Sequence, residues 1–303
     1  MRMSRGEKAF TVFNNIFMVV LGLVSFYPFI YMLAVSFNDG MDTMKNGVWL
    51  LPNKFTFVNY QVVLNNPVIK SAFMVTIGRT VIGTITSLIV TALAAYALSF
   101  KELPFKKLIG LYILIPMLFG GGIVPYYLQL KNLHLINSFW VYIIPGLFSI
   151  WNMFVMRSFF IGIPESLRES AEIDGANQLT VLIKIIFPLS LPMFAALGLF
   201  TAVGHWNDWF AGAFFVNKIN LIPLQTYLQR LLNASDLSAV TSTGATASKA
   251  LSESAARGGD ITRITLMSVK MATVMIGTLP ILCVYPFLQK YFVKGVLIGS
   301  VKG

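Results

Sequence analysis

Four of the chain's twelve carboxylates, Glu165, Glu169, Glu172 and Asp174, fall within ten residues. Pro164 can take the first helical position, where its missing N–H costs nothing. Glu165 then sits in the first turn, favoured by the helix dipole, and Gly175 supplies a left-handed stop. Pro164–Asp174 is therefore expected to be a surface helix of about three turns, with Leu167 and Ala171 on one apolar stripe at i, i+4. A charged helix with an apolar stripe is suited to docking on a partner; the same features also describe a solvated connecting helix. Three further charges, Arg79, Asp208 and Lys270, lie inside apolar runs. Covalent and metal chemistry have no candidates: Cys283 is the single cysteine, and His134 and His205 stand far apart, without zinc spacing. There is also no Gly-x4-Gly-Lys-Ser/Thr phosphate loop.

The elements that hold these residues follow from composition. Of 303 residues, 56% are apolar and only 12% charged, where soluble domains carry about 25% charged residues. Mean hydropathy is +0.73. The net charge of +11 does not indicate nucleic acid, because Lys and Arg punctuate apolar runs instead of gathering on one face. Arg2, Arg5 and Lys8 precede an apolar stretch too long for a signal peptide, so it is expected to be a retained first span. Six stretches can cross a hydrocarbon layer of about 30 Å: 14–36, 71–99, 107–128, 139–161, 187–215 and 264–290. They do not alternate as barrel strands do. The fold class is an all-α membrane protein with six transmembrane helices in a single domain over 1–303.

Basic residues orient it. The N-terminus, the Phe100–Lys107 link and the tail after Gln289 carry three each, against only Lys131 in Gln129–Asn137. Short loops follow this bias, so both termini are placed in the cytoplasm. The segment 162–186 is then cytoplasmic, while 37–70 and 217–263 are external. Ala234–Asp260 is mostly Ala, Ser, Thr and Gly, a composition that buries little. Gly120–Gly122 with Pro116 and Pro125 predicts a broken end of the third span, tolerable only if protein or water covers it.

Within the assigned spans, Arg79, Asp208 and Lys270 lie about 9–12 Å from the external end at 1.5 Å per residue. Charges that deep face an interior or a wet cavity. They are expected either to line or gate a pathway, two cations against one anion, or to form a structural ion pair of Asp208 with Arg79 or Lys270. Trp206, Asn207 and Trp209 flank Asp208. These aromatics, with Phe210, Phe214, Tyr126 and Tyr127, suit stacking on sugar rings or an interfacial belt.

The string Glu169-Ser170-Ala171-x-x-Asp174-Gly175-Ala176, followed by Ile185-x-Phe187-Pro188, resembles the EAA loop of binding-protein-dependent ABC importer permeases. Ser170 and Phe187 depart from the family's Ala and Leu and leave the spacing intact. Gly120-Gly121-Gly122-Ile123-Val124-Pro125, Trp206-Asn207-Asp208-Trp209, Pro223-Leu224-Gln225 and the tail Lys294-Gly295-x3-Gly299-x2-Lys302-Gly303 extend the likeness. Together they are similar to carbohydrate-type permeases related to the smaller maltose-transporter subunit, and above all to the lipoprotein-linked oligosaccharide branch.

The resemblance implies a type I ABC importer permease fold with a cytoplasmic coupling helix in 162–186 that docks on a separate ATPase. Glu165, Leu167, Glu169, Ala171, Glu172, Asp174 and Gly175 would serve that coupling. The family's partners are a homologous second permease, two ATPases using ATP and Mg, and an extracytoplasmic solute-binding protein. The chain itself would bind no cofactor and catalyse no reaction. It would sit in the cell membrane and import oligosaccharides, a cationic lining suiting uronate-containing ones. The other readings are an ion-coupled secondary transporter and a receptor or channel subunit. The external loop 217–263 corresponds in position to one that enters the binding protein in the maltose system.

Overall fold

The computed structural model describes residues 4–233 and 264–300, with side chains described up to Cys283. The basic residue Arg2, the loop Ala234–Asp260 and the last residues of the tail lie outside the described residues, as do the side chains of the rest of the tail. Among the described residues the structure is helical, with one isolated antiparallel bridge between Asn38 and Phe55. The chain divides into two compact units, Met1–Lys70 with Arg230–Leu279 and Ser71–Gln229 with Pro280–Gly303.

In the first unit, α1 (Arg5–Ser36) starts at a capping box: Glu7 N–H donates to Ser4 Oγ at 3.2 Å, and Ser4 N–H donates to Glu7 Oε2 at 2.7 Å. Two short helices follow, α2 (Gly40–Asn46) and α3 (Val58–Asn65). Helix α4 (Pro67–Ala97) leads into the second unit, followed by α5 (Lys106–Leu118), α6 (Ile123–Asn132) and α7 (Ile150–Ile161). The short α8 (Ser166–Ile173) and α9 (Gln178–Val181) precede a π-helical turn over Leu182–Ile186 and α10 (Phe187–Leu189). Then come α11 (Leu191–Asn207), α12 (Phe210–Phe215) and α13 (Leu224–Asn233). The last helix, α14 (Leu266–Ser300), begins in the first unit.

Three helices are long and apolar enough to cross a membrane unbroken: Gly6–Ser36, Pro67–Ala97 and Leu266–Cys283. The other expected spans are bent pairs, so the number reaches six only if each pair counts as one crossing. The third breaks by 113° between α5 and α6. There Gly122 takes φ +82°, a conformation costly for any residue with a Cβ. The fourth bends by 44° where 3-10 turns over Phe139–Gly146 meet α7. The fifth departs most from expectation. Helix begins at Gln178, turns by 84° at Ser190 and ends at Asn207, in place of one rod over 187–215. Pro188 and Pro192 flank the turn and lack the N–H groups that a continuous ladder needs.

Two apolar clusters in the second unit sit at opposite ends of α4. One joins Val75 to Leu130, Leu135, Val141, Tyr142, Ile143, Phe215 and Val216. The other joins Ala92, Ala95, Tyr96 and Leu98 to Met153, Met156 and Phe160 of α7, the π-helical turn and α11. Packing near the first cluster is close. A Cβ on Gly212 would stand 2.6 Å from Pro223 Cδ and 3.1 Å from Thr226 Cβ, neither of which can swing away. Gly212→Ala should therefore destabilise the unit by about 1–3 kcal/mol. A melting temperature in detergent lowered by a few degrees checks this, and an unchanged one would refute the close fit.

Candidate functional site

At the Leu98 end of α4, α8 is built as a short stub. It is two turns long, not the expected three. Pro164 lies outside it, with its carbonyl accepting Leu167 N–H at 3.3 Å, and Glu165 occupies the N-cap. The other end closes as a Schellman motif. Gly175 at φ +81° donates its N–H to Glu172 O at 3.0 Å, and Ala176 N–H donates to Ala171 O at 2.9 Å. Asn177 then caps α9, its Oδ1 accepting Thr180 N–H at 2.8 Å.

The inner face of α8 is held by a residue that the sequence reading missed. Arg168 is buried. Its guanidinium lies 5.1 Å from the Tyr96 ring centroid and 4.9 Å from that of Phe100. Nη2 donates to Ser99 Oγ at 2.9 Å. Arg168 is the one cation among four carboxylates, three residues before Ala171 and hence on the same face; that placement was the available signal. Ala171 also packs inward, partly buried on the α4–α7 cluster, while Leu167 on the same expected stripe is exposed. The outward apolar residues are Leu167 and Ile173, and Ile173 is 86% exposed.

Three polar links complete the attachment. Lys101 Nζ meets Glu165 Oε2 at 2.5 Å. Tyr96 Oη donates to Gln178 Oε1 at 2.9 Å, and Gln178 Nε2 donates to Glu172 Oε1 at 2.6 Å. The hydrogen bond from Lys101 holds the Glu165 carboxyl below its ordinary range. This link is therefore intact at neutral pH and is lost only as pH falls through that lowered value. Glu169 and Asp174 remain exposed at the surface of the stub.

The second cluster forms where α11 ends. Arg79 on α4 is fully buried and donates through Nη2 to the carbonyls of His205 and Asp208. Its Nη1 lies 3.4 Å from Asp208 Oδ2, and its guanidinium stands 5.2 Å from the Tyr142 ring centroid. Asp208 Oδ1 accepts the Phe210 and Ala211 N–H groups at 2.9 and 3.3 Å. One ion pair thus satisfies the carbonyls that end α11 and the amides that begin α12, as a helix break in lipid requires.

Of the expected pathway residues, Arg79 and Asp208 are therefore brought together as a clamp. Arg79 has no surface left for a ligand. Trp206 is buried with its ring edge-on to Phe73 at 5.9 Å. Asn207 and Trp209 are exposed; Gln225 Nε2 reaches Asn207 Oδ1 at 3.5 Å. Phe210 and Phe214 stack beside Trp209, their centroids 4.4 Å apart. Lys270 belongs to the other unit, where its Nζ donates to Leu232 O at 3.0 Å. Among the described residues no group of three His, Cys, Asp or Glu is placed to hold a metal.

Residues 1–298 match the family model of the binding-protein-dependent transport system inner membrane component. The chain belongs to that family. The permease is 36% identical over 303 residues to Protein LplC of Bacillus subtilis (strain 168), covering 100% of this chain and 98% of that one. It is 34% identical over 287 residues to the polygalacturonan/rhamnogalacturonan transport system permease protein YtcP of the same organism, covering 95% and 96%. A solved bacterial ABC transporter involved in the import of the acidic polysaccharide alginate has a chain of 29% identity and TM-score 0.86, covering 96% of this permease and 99% of that chain. The molecule is thus a sugar ABC importer permease with that fold, an inner-membrane transport component and not itself a catalyst.

Proposed function

We propose that this permease is one subunit of an ATP-driven importer of uronate-containing oligosaccharides, acting as a single domain over 1–303 with both termini in the cytoplasm. It works by alternating access beside a homologous second permease. Two ATPases burn ATP with Mg, and an extracytoplasmic binding protein delivers the sugar. The observation that carries the reading is the two-sided stub α8. Arg168 bolts its inner face to α4, while Leu167, Glu169, Ile173 and Asp174 face outward. Ile173, 86% exposed on a two-turn helix outside the apolar spans, is an apolar contact that this face offers to a protein partner. A stub tied to a span moves that span when the partner closes, and the partner's nucleotide cycle supplies the differential affinity such a shift needs.

The substrate class is supported by the polyuronide named for YtcP and the alginate named for the solved transporter. The exposed Asn207, Trp209 and Phe210 offer amide and ring faces for sugar. Lys270 remains a candidate on the pathway. An ion-coupled carrier is not favoured, because Asp208, the carboxylate offered by the assigned spans, already has both oxygens engaged.

The reading is tested in proteoliposomes holding both permeases, the ATPases and the binding protein. ATP-dependent uptake of labelled trigalacturonate should exceed that of maltotriose at least ten-fold. Ile173→Asp should cut uptake and ATPase co-purification about ten-fold without lowering the melting temperature. Equal uptake of the two sugars would overturn the substrate class. Transport driven by an ion gradient without ATP would overturn the mechanism.

A further inference from the structure

The segment that follows α1 buries three of its polar residues, Asn38, Asp42 and Asn59. Asn38 Nδ2 donates to Thr43 Oγ1 at 2.8 Å and Asp42 Oδ2 at 3.2 Å, while its Oδ1 accepts Lys54 N–H at 2.7 Å. Asn59 Nδ2 donates to the carbonyls of Ser36 and Asn38, each at 2.9 Å. Hydrogen bonds from Asn38 and Asn46 hold the Asp42 carboxyl below its ordinary range. Beside the exposed Lys45, Asn46, Asn53 and Lys54 stand large apolar residues: Trp49 is 76% and Leu51 77% exposed, with Leu50, Met44 and Phe55 also open.

The base of this segment is tied to the end of α1. Asp39 N–H donates to Lys54 O at 2.9 Å and Thr56 N–H to Phe37 O at 2.7 Å, pairing the base of the loop with the residues just past α1. Phe37 stacks on Phe55 at 5.2 Å and on Tyr60 at 4.6 Å. Asn53 Nδ2 closes the tip on Gly47 O at 2.8 Å. The unbroken apolar span Gly6–Ser36 ends one residue before this scaffold, so the base of the loop stands beside the end of that span. Lys45 and Lys54 flank it and are exposed.

We propose that Trp49-Leu50-Leu51-Pro52 is a lipid-anchoring tip that inserts into the membrane–water interface of the leaflet where α1 ends, with Lys45 and Lys54 toward the phosphates. Tryptophan concentrates at that depth because its ring is apolar and its N–H is polar. Lysine stems lie along apolar surface while their ammonium groups reach the headgroups. A tip on a hydrogen-bonded base loses little backbone entropy on insertion. The anchor pins the outer end of α1 independently of the sugar carried, so it stands apart from the transport reading.

The test uses the complete importer in vesicles of phosphatidylethanolamine and phosphatidylglycerol. Cys283 is replaced by serine, and Trp49→Cys or Leu51→Cys carries a nitroxide. Power saturation should show collision with oxygen several-fold above collision with a water-soluble nickel chelate at both positions, and the reverse at Lys45→Cys. Adding loaded binding protein should change neither ratio. Nickel collision dominating at both tip positions would overturn the proposal. So would protection that appears only with the binding protein, which would make the tip a protein-docking surface. Having two tip positions keeps the result readable if one variant fails to assemble.

Discussion

Arg168→Ala is expected to abolish coupling while leaving the spans folded. The substitution removes a charge-assisted hydrogen bond to Ser99 and two cation–π contacts, to Tyr96 and Phe100. Such a bond contributes about 1.5–3 kcal/mol, and each buried ring contact adds on the order of 1 kcal/mol. An eight-residue helix cannot hold its shape by propensity alone, so α8 should loosen from α4. ATP-dependent uptake is expected to fall at least ten-fold, with basal ATPase activity retained and no longer stimulated by loaded binding protein. Amide hydrogen exchange over 166–176 should quicken while that of α4 and α7 is unchanged. Arg168→Lys should fall between the two, because it keeps the charge and loses the planar face that lies over the rings. Wild-type stimulation in the alanine variant would overturn this account.

Arg79→Gln is expected to be the most destabilising single change in the second unit. It strips the partner from the carbonyls of His205 and Asp208 and from Asp208 Oδ2 at once. Breaking a buried pair costs about 3–5 kcal/mol. Asp208 is 38% exposed, and solvent screening brings the figure to about 2–4 kcal/mol. The melting temperature in detergent should drop by several degrees. Adding Asp208→Asn should cost less than the sum of the single changes, since Asn Oδ1 can still cap α12 and no charge is left alone. Because Arg79 is fully buried, with Nη2 held by carbonyls of its own chain, uptake of acidic and neutral sugars should fall together. A selective loss of acidic-sugar uptake at an unchanged melting temperature would place the guanidinium on the substrate instead.

What was legible in the sequence follows the range over which each signal acts. Apolar runs and the shortage of charge marked membrane spans, because hydrocarbon imposes its length on any crossing helix. The break at Gly120–Gly122 was readable from three consecutive glycines. The 84° turn at Ser190 was not: Pro188 and Pro192 flank it, yet proline at a helix start and proline at a break look alike locally. The end of α11 was hidden because the apolar run resumes at Trp209–Phe215 straight after Asn207-Asp208. What stops the helix there is a guanidinium 129 positions earlier. The coupling stub shows the same limit. Its acidic outer face stood out by composition, whereas Arg168 acquires meaning only once Tyr96 and Phe100 are beside it. Ala171 was grouped with Leu167 because i, i+4 spacing identifies a stripe without saying what the stripe meets.

The five-residue π-helical turn over Leu182–Ile186 sits on the only covalent route from α9 to α11. A π turn carries a surplus residue over α geometry and occurs mostly as a single turn inside helices, frequently at functional sites. Squeezing that surplus residue out would rotate whatever lies upstream by about 100° about the helix axis, without unwinding the polypeptide. A surplus residue between α9 and α11 would let part of a pull on the stub pass into α11 as a change of register.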